Sequence, residues 1–465
     1  MGIAPLRDRL ITTAATAGIA ALGLLAIGCG TPATTTTTNT TVAPVGPLTI
    51  WHPDLTTETV EDIANGLSTE NTTIVAKKVD TAFEWRLVNG IASDGAPDVA
   101  VVPSDYLADH KDKFVTIPAD YIKPDADGNG SANTQAFFES TYIDMVISQL
   151  LNEDGTAIAF PGPVKELKLF INRRLFGEAS DRLTQANKNN PAEVESIRKT
   201  LSSPITTWND FSAASQRITQ RTGNTILISG AAIGIASNIE WAQDIYELMV
   251  MQQGGKIVDS TKLVALFQNY EKNADGRLIY PGKDALRYFN SYANTGNPNY
   301  SWSAEMPSAR QAFLDGRVAM IFDYGEFEDI VKQKGRDKVD LEITNVPQVT
   351  ADGEPVVFVR NYLVGISKGS QQKTKAGIVA KLLGSTSAKG LADGLKYSYS
   401  PVKTDLDAAI ITRLANAEPV FKKFHSDFDS IMAEMLDDVS LRGQNPDNAV
   451  DRAAERINQL LNKNE

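Results

Sequence analysis

The chain has one cysteine and three histidines. After its first 30 positions it has no apolar run near the roughly 20 residues that span a bilayer. A lone Cys29 excludes a disulfide framework. His52, His110 and His425 are too dispersed to read as a zinc site of closely spaced His and Cys. No G-x-S-x-G turn, H-E-x-x-H helix or G-x-x-x-x-G-K-[ST] loop occurs, so the common hydrolase, metalloprotease and nucleotide-binding readings lack support. Acidic residues outnumber basic ones, 57 to 45. That balance argues against nucleic acid and anionic lipid as partners.

What is present begins with an N-terminal address. Arg7 and Arg9 precede a mostly apolar run from Leu10 to Ile27, which closes on Leu25-Ala26-Ile27-Gly28-Cys29. This pattern reads as a secretory signal over residues 1–28 and resembles the lipobox of bacterial lipoproteins, with lipidation of Cys29 the expectation. Residues 29–46 are dominated by threonine and cannot bury a core, so they read as a tether between the anchor and a folded body.

The body is globular in composition and long enough for about two or three domains. Pro47 to His52 reads as a strand, and Val60, Ile63, Ala64 and Leu67 then recur at helical spacing. Thr73 to Val79, a helix carrying Phe83, Leu87, Val88 and Ile91, and Asp98 to Val102 repeat the alternation, which implies an α/β class with a mainly parallel sheet. Ala157 to Phe160 reads as a strand that Pro161 and Pro163 must stop, for want of N–H groups. Leu167, Leu169 and Ile171 mark a second strand beyond the break. Thr207 is a plausible cap with Asp210 three residues on, and Gly254-Gly255 ends the helix carrying Ala242, Ile245, Leu248 and Met249. Trp208 and Trp241 read as core residues. Gly316 can close a helix in the left-handed conformation before the apolar strand Val318 to Phe322. Asn445 and Pro446 open a last helix with Val450, Ala453, Ala454, Ile457, Leu460 and Leu461 on one face.

Three of these stretches carry a resemblance. Strand, proline break and strand over Ala157 to Phe176, Pro204 to Phe211 (similar to P-x-T-W-x-x-F), and Phe313 to Met320 (F-x-x-G-R-V-A-M) resemble the extracellular solute-binding proteins of ABC importers, in particular the maltodextrin-binding-like branch. The likeness extends over nearly all of residues 47–463. It implies an α/β, two-lobed periplasmic-binding-protein-like fold with three interlobe crossovers. Residues 47–162 and 346–398 would form lobe 1, and 163–345 and 399–465 lobe 2, with Tyr397 to Pro401 as the third crossover.

The function so implied is capture of a small solute, a sugar or oligosaccharide, outside the cell and delivery to the membrane-bound permease subunits of an ABC transporter. It implies no catalysis and no cofactor. The protein would be a monomer held at the extracytoplasmic membrane face by its lipid. Positions matching the family's cleft are Trp51 and His52 after the first strand, Asp105 after the third, Lys165 at the first crossover, and Asp323, Tyr324 and Glu326 after the Val-Ala-Met strand. Trp302 and Tyr399 are added as aromatics near cleft segments. Asp323-Tyr324-Gly325-Glu326 departs from the Gly-x-Trp usual in sugar binders, and Lys165 stands where those often place an acid. Tyr324, with no obvious core to fill, is expected to offer its ring to the solute.

Two other classes remain at this stage. One is a lipid-anchored receptor subunit that signals ligand to a membrane sensor. The weaker is an extracellular glycan hydrolase using Asp323 and Glu326, which an acidic turn would explain equally well. Asp125, Asp127 and Asn129 follow calcium-loop spacing, but Ala136 replaces the bidentate Glu of the twelfth position, so a bare acidic turn is expected.

Overall fold

The computed structural model describes residues 46–463, apart from 53–56, 69–71, 80–82, 94, 118–121, 123–133, 148–149, 153, 274, 394, 416, 418–419 and 421. Cys29 and the calcium-loop candidates Asp125, Asp127 and Asn129 therefore lie outside the described residues.

The first lobe is built as the hydrophobic periods require. In β1 (Leu48–His52) the residues at alternate positions are buried, α1 (Thr57–Leu67) returns the chain, and β2 (Ile74–Lys78) pairs parallel to β1. After α2 (Phe83–Ala92), β3 (Val99–Pro103) is buried through its first four residues and runs straight into α3 (Ser104–His110). Two short helices, α4 (Thr134–Thr141) and α5 (Asp144–Ile147), precede β4 (Phe160–Glu166). The prolines do not end that strand. It continues through Pro161 and Pro163, where its pairing with a later strand slips register and its other edge has no partner, so the missing N–H groups cost no ladder bonds.

The chain enters the second lobe at Leu167, between β4 and β5 (Lys168–Asn172). β5 is buried at all five positions rather than alternating, because it lies between two other strands with helices on its faces. Three helices follow, α6 (Arg173–Ala186), α7 (Pro191–Ser202) and α8 (Trp208–Ile218), the last opened by the reciprocal Thr207–Asp210 cap. β6 (Gln220–Thr222) and β7 (Thr225–Ala231) lead to α9 (Ala242–Gln252). Small ribbons form from β8 (Val258–Asp259) with β9 (Val264–Ala265), and β10 (Glu271–Lys272) with β11 (Leu278–Ile279). Then come α10 (Pro281–Ser291) and α11 (Ala309–Leu314), with Gly316 at φ +68° turning the chain into β12 (Val318–Asp323). α12 (Phe327–Lys334) and β13 (Leu341–Asn345) finish the sheet.

β14 (Val359–Ile366) lies in the first sheet again, antiparallel to β3 and β4. α13 (Lys373–Gly384) and α14 (Ala388–Asp393) cover it. Tyr399 was expected in a crossover, but β15 (Ser398–Tyr399) is the edge strand of the first sheet, paired to β4. The first core continues through α15 (Ala408–Ala415), with Leu414 and Ala417 buried in it. The chain regains the second core only at α16 (His425–Ser440) and α17 (Pro446–Leu461). β4 through Glu166, β15 and α15 thus go with the first sheet and its core, and Leu167, α16 and α17 with the second. The strand orders are β15-β4-β14-β3-β1-β2 and β13-β5-β12-β7-β6, each sheet with its own apolar core.

Candidate functional site

Strand ends and helix starts of both lobes converge on a cavity of about 70 Å³ lined by Asp105, Lys165, Trp241, Arg360, Tyr362 and Lys422 among others. Asp105 is there because β3 delivers the chain directly into α3. Lys165 comes from β4 and Arg360 from β14, adjacent strands that hold the two residues in register. From the second lobe come Trp241 at the head of α9, Asp244 one turn on, and Tyr324 and Glu326 after β12.

Opposite charges from the two lobes pair across this space. Arg360 donates from Nε and Nη2 to the two Asp244 oxygens, both at 2.7 Å. Its Nη1 lies 3.8 Å from Asp105, and its guanidinium sits 5.2 Å from the Trp241 ring. Lys165 Nζ donates to Glu326 at 2.6 Å and stands 5.1 and 5.2 Å from the Tyr324 and Tyr362 rings. Near the last passage between lobes, Lys422 lies 3.1 Å from Glu247 and 2.7 Å from Asp429. The backbones also touch: a Cβ on Gly325 would meet the Lys396 carbonyl oxygen at 2.2 Å, so only glycine permits this approach.

The groups are held by a second tier of bonds. Trp241 donates its indole N–H to Asp323 at 2.9 Å, and Arg310 grips the same carboxylate with two bonds of 2.6 Å. Tyr324 donates its hydroxyl to Asp244 at 2.7 Å. Burial alone would raise the Asp244 pKa, but the bidentate Arg360 outweighs it and holds the carboxyl below its ordinary value. For Asp323 burial wins against Arg310 and Trp241, and for Asp105 against the more distant Arg360, so both are raised. Burial pushes Glu247 up to about 8 despite Lys422.

Of the residues singled out in the sequence, the structure brings Asp105, Lys165, Tyr324 and Glu326 together, with Asp323 behind them. Tyr324 offers no open face. It is 1% exposed and packs edge-on against Trp241, since the closing lobes supply the core that its flanking sequence does not. Asp323 and Glu326 are each paired with a cation, Arg310 and Lys165. Trp302 is a correction: it is fully buried in the second core, with its indole N–H on Asn238 at 2.8 Å. Tyr399 also lies elsewhere, donating to Glu166 at 2.6 Å beside Arg413, in the ionic cluster at the β4–β5 passage. Trp51 lies under Lys77 at the β1–β2 edge, and His52 is wholly buried.

Trp241, Asp244, Arg360 and Lys422 were not read as site residues. Trp241 was assigned to core, as was Trp208, which does lie there. Arg360 had a signal, a lone cation with Asn361 and Tyr362 interrupting the apolar run Val356 to Ile366. Asp244 and Glu247, two acids inside a buried helix stripe, had another.

With this geometry in place, comparison with known proteins is specific about family. Residues 69–418 match the bacterial extracellular solute-binding proteins, and the chain belongs to that family. Solved structures with the same fold include an ABC-transporter solute-binding protein of Thermotoga lettingae bound with α-D-tagatose, at TM-score 0.61 and 16% identity, covering 90% of this chain and 100% of that one. The GacH receptor of Streptomyces glaucescens, solved with and without acarbose, aligns at TM-score 0.64 and 15% identity over 90% and 99%. A Listeria monocytogenes substrate-binding protein in complex with cycloalternan aligns at 0.64 and 14% over 89% and 98%. No curated protein matches the sequence. Among the described residues no helix is long and apolar enough to cross a membrane.

Proposed function

We propose that this protein captures a sugar or short oligosaccharide between its lobes and presents it to the permease subunits of an ABC importer. The observation that carries the reading is the Trp241 indole, fixed through its N–H by Asp323 and bordered by Arg360, Asp105 and Lys165. An aromatic face with several oriented hydrogen-bonding groups suits a polyhydroxylated ring. The tagatose-, acarbose- and cycloalternan-bound relatives make a saccharide the first class to test.

A cavity of about 70 Å³ is well below the few hundred that small-molecule pockets occupy. Entry therefore requires the lobes to part, breaking Lys165–Glu326 and Arg360–Asp244. The solute then replaces direct contacts between lobes with contacts to itself, and closure follows from its better fit to the closed form. Titration calorimetry of the protein against mono- and oligosaccharides should give at least one ligand that Trp241→Ala binds at least about tenfold more weakly. Absence of any saccharide ligand across the panel would refute the sugar assignment.

Cys29 completes the reading as the lipid-bearing residue that keeps the body near its permease. Metabolic acyl labelling should mark the wild type and spare Cys29→Ser. Equal labelling of both would remove the anchor.

A further inference from the structure

Away from the solute cavity, a second set of groups joins the lobes. Glu84 on α2 and Asp109 and His110 on α3 belong to the first lobe, and His425, first residue of α16, to the second. The Asp109 carboxylate accepts from the backbone N–H of Phe424 at 2.5 Å and of His425 at 2.9 Å, and lies 2.7 Å from His425 Nδ1. The other ring nitrogen, Nε2, is 3.4 Å from Glu84 Oε2, while His110 Nε2 is 2.6 Å from Glu84 Oε1. The His425 ring rests against Tyr106, centroids 4.7 Å apart.

We propose that His425 Nε2, Glu84 and His110 form a site for a divalent transition ion of the zinc class that bridges the two lobes, with Asp109 orienting the His425 ring. Three features carry this. A carboxylate on Nδ1 fixes the tautomer that leaves the Nε2 lone pair free for a metal, the arrangement that metal-bound histidines commonly have. In a tetrahedral site with bonds of about 2.0 to 2.2 Å, neighbouring donors stand about 3.4 Å apart, and the Nε2–Oε2 separation is 3.4 Å. The side chains of Glu84, His110 and His425 are each partly exposed, so water can complete the shell.

Imidazole and carboxylate donors select zinc, copper, nickel or cobalt over calcium and magnesium. The His110–Glu84 contact has to lengthen to admit the ion. The competing arrangement is an imidazolium that donates from both nitrogens to the two carboxylates, which holds the lobes together without metal and binds none. Because the donors come from both lobes, a bound ion also favours the closed form. This site shares no residue with the solute cavity, so the ion can be titrated without any saccharide.

The test is titration of the full-length, untagged protein with Zn²⁺ by calorimetry and with Co²⁺ by visible absorption, near neutral pH. The expected result is one ion per chain with Kd of about 10 μM or tighter, and the intense bands of tetrahedral cobalt. His425→Ala, Glu84→Gln and His110→Ala should each weaken binding at least about tenfold, and Asp109→Asn by about 10- to 100-fold through the misdirected ring. Melting curves identify any variant that fails to fold; Glu84→Gln and His110→Ala, on surface helices, then carry the test. No binding tighter than about 100 μM, or wild-type affinity in Glu84→Gln and His110→Ala, would overturn the proposal in favour of the imidazolium clamp.

Discussion

Two cavities among the described residues lie between the lobes, and the smaller one gathers the aromatic rings and the paired charges. The larger, about 640 Å³, is lined by Ile143, Met145, Met251, Ile257, Leu414 and Val420, with Lys256, Asp259 and Lys403 among its polar members. None of its described lining residues is aromatic. The smaller, about 70 Å³, has Trp241, Phe358 and Tyr362 beside Asp105, Lys165 and Arg360, and shares only Val420 with its neighbour. The contrast separates empty volume from binding capacity. Volume persists where flexible aliphatic chains meet without filling space. It is nearly absent where cations of one lobe have reached acids of the other, since a desolvated charge must find a partner.

The largest expected effect lies in neither cavity and calibrates both. Trp302→Ala should cost about 3 to 5 kcal/mol of unfolding free energy in a urea titration, because the indole is fully buried and its Asn238 partner loses a donor. Saccharide affinity of the folded fraction should be unchanged. A stable Trp302→Ala that no longer binds would return this residue to the cleft.

Next, Trp241→Ala should weaken saccharide binding by about 1 to 3 kcal/mol, roughly 10- to 100-fold, while Met145→Ala in the larger cavity changes it less than about twofold. Calorimetry with the same ligand on both variants inverts the comparison if Met145→Ala has the larger effect.

Smaller again is the role of the interlobe pairs. Lys165→Met removes the partner of Glu326, which is partly exposed, and shifts the open–closed balance by about 1 kcal/mol. Small-angle scattering without ligand should report a larger radius for Lys165→Met than for wild type. An identical radius would mean that Lys165–Glu326 does not help hold the lobes together.

The least effect is a slope. Burial raises the Glu247 pKa from 4.5 to about 8, so the native state holds a proton that the unfolded chain releases. The stability this contributes is complete below 4.5 and is lost as pH rises to about 8. Lys422 opposes part of the loss. Glu247→Gln should flatten the decline in melting temperature across that window; an equal decline in both proteins would place the titration elsewhere.

How much was legible follows from the range of each interaction. β1 to β3, the Thr207–Asp210 and Asn445 caps, Gly316 and the apolar face of α17 were all readable, because alternation, capping and positive φ act within a few residues. The proline break at β4 failed because a proline's cost depends on whether its N–H side has a neighbour, and the strand on that edge, β15, comes from more than 230 residues on and pairs only with Val164 and Lys165. Tyr324 was misread for the same reason: it looks unsupported along the chain, and it is enclosed by segments from elsewhere.

By itself the sequence determined the class, α/β with two cores, since binary patterning and local turn chemistry are written in neighbouring residues and recur in any member of the family. Only the tertiary structure decided which charges meet. Lys165 with Glu326, Arg360 with Asp244 and Glu84 with His425 are separated by more than 100 residues in each case, and no periodicity encodes a pair at that distance. They are chosen by the closing of one lobe on the other, where leaving a charge unpaired costs more than a hydrogen bond does.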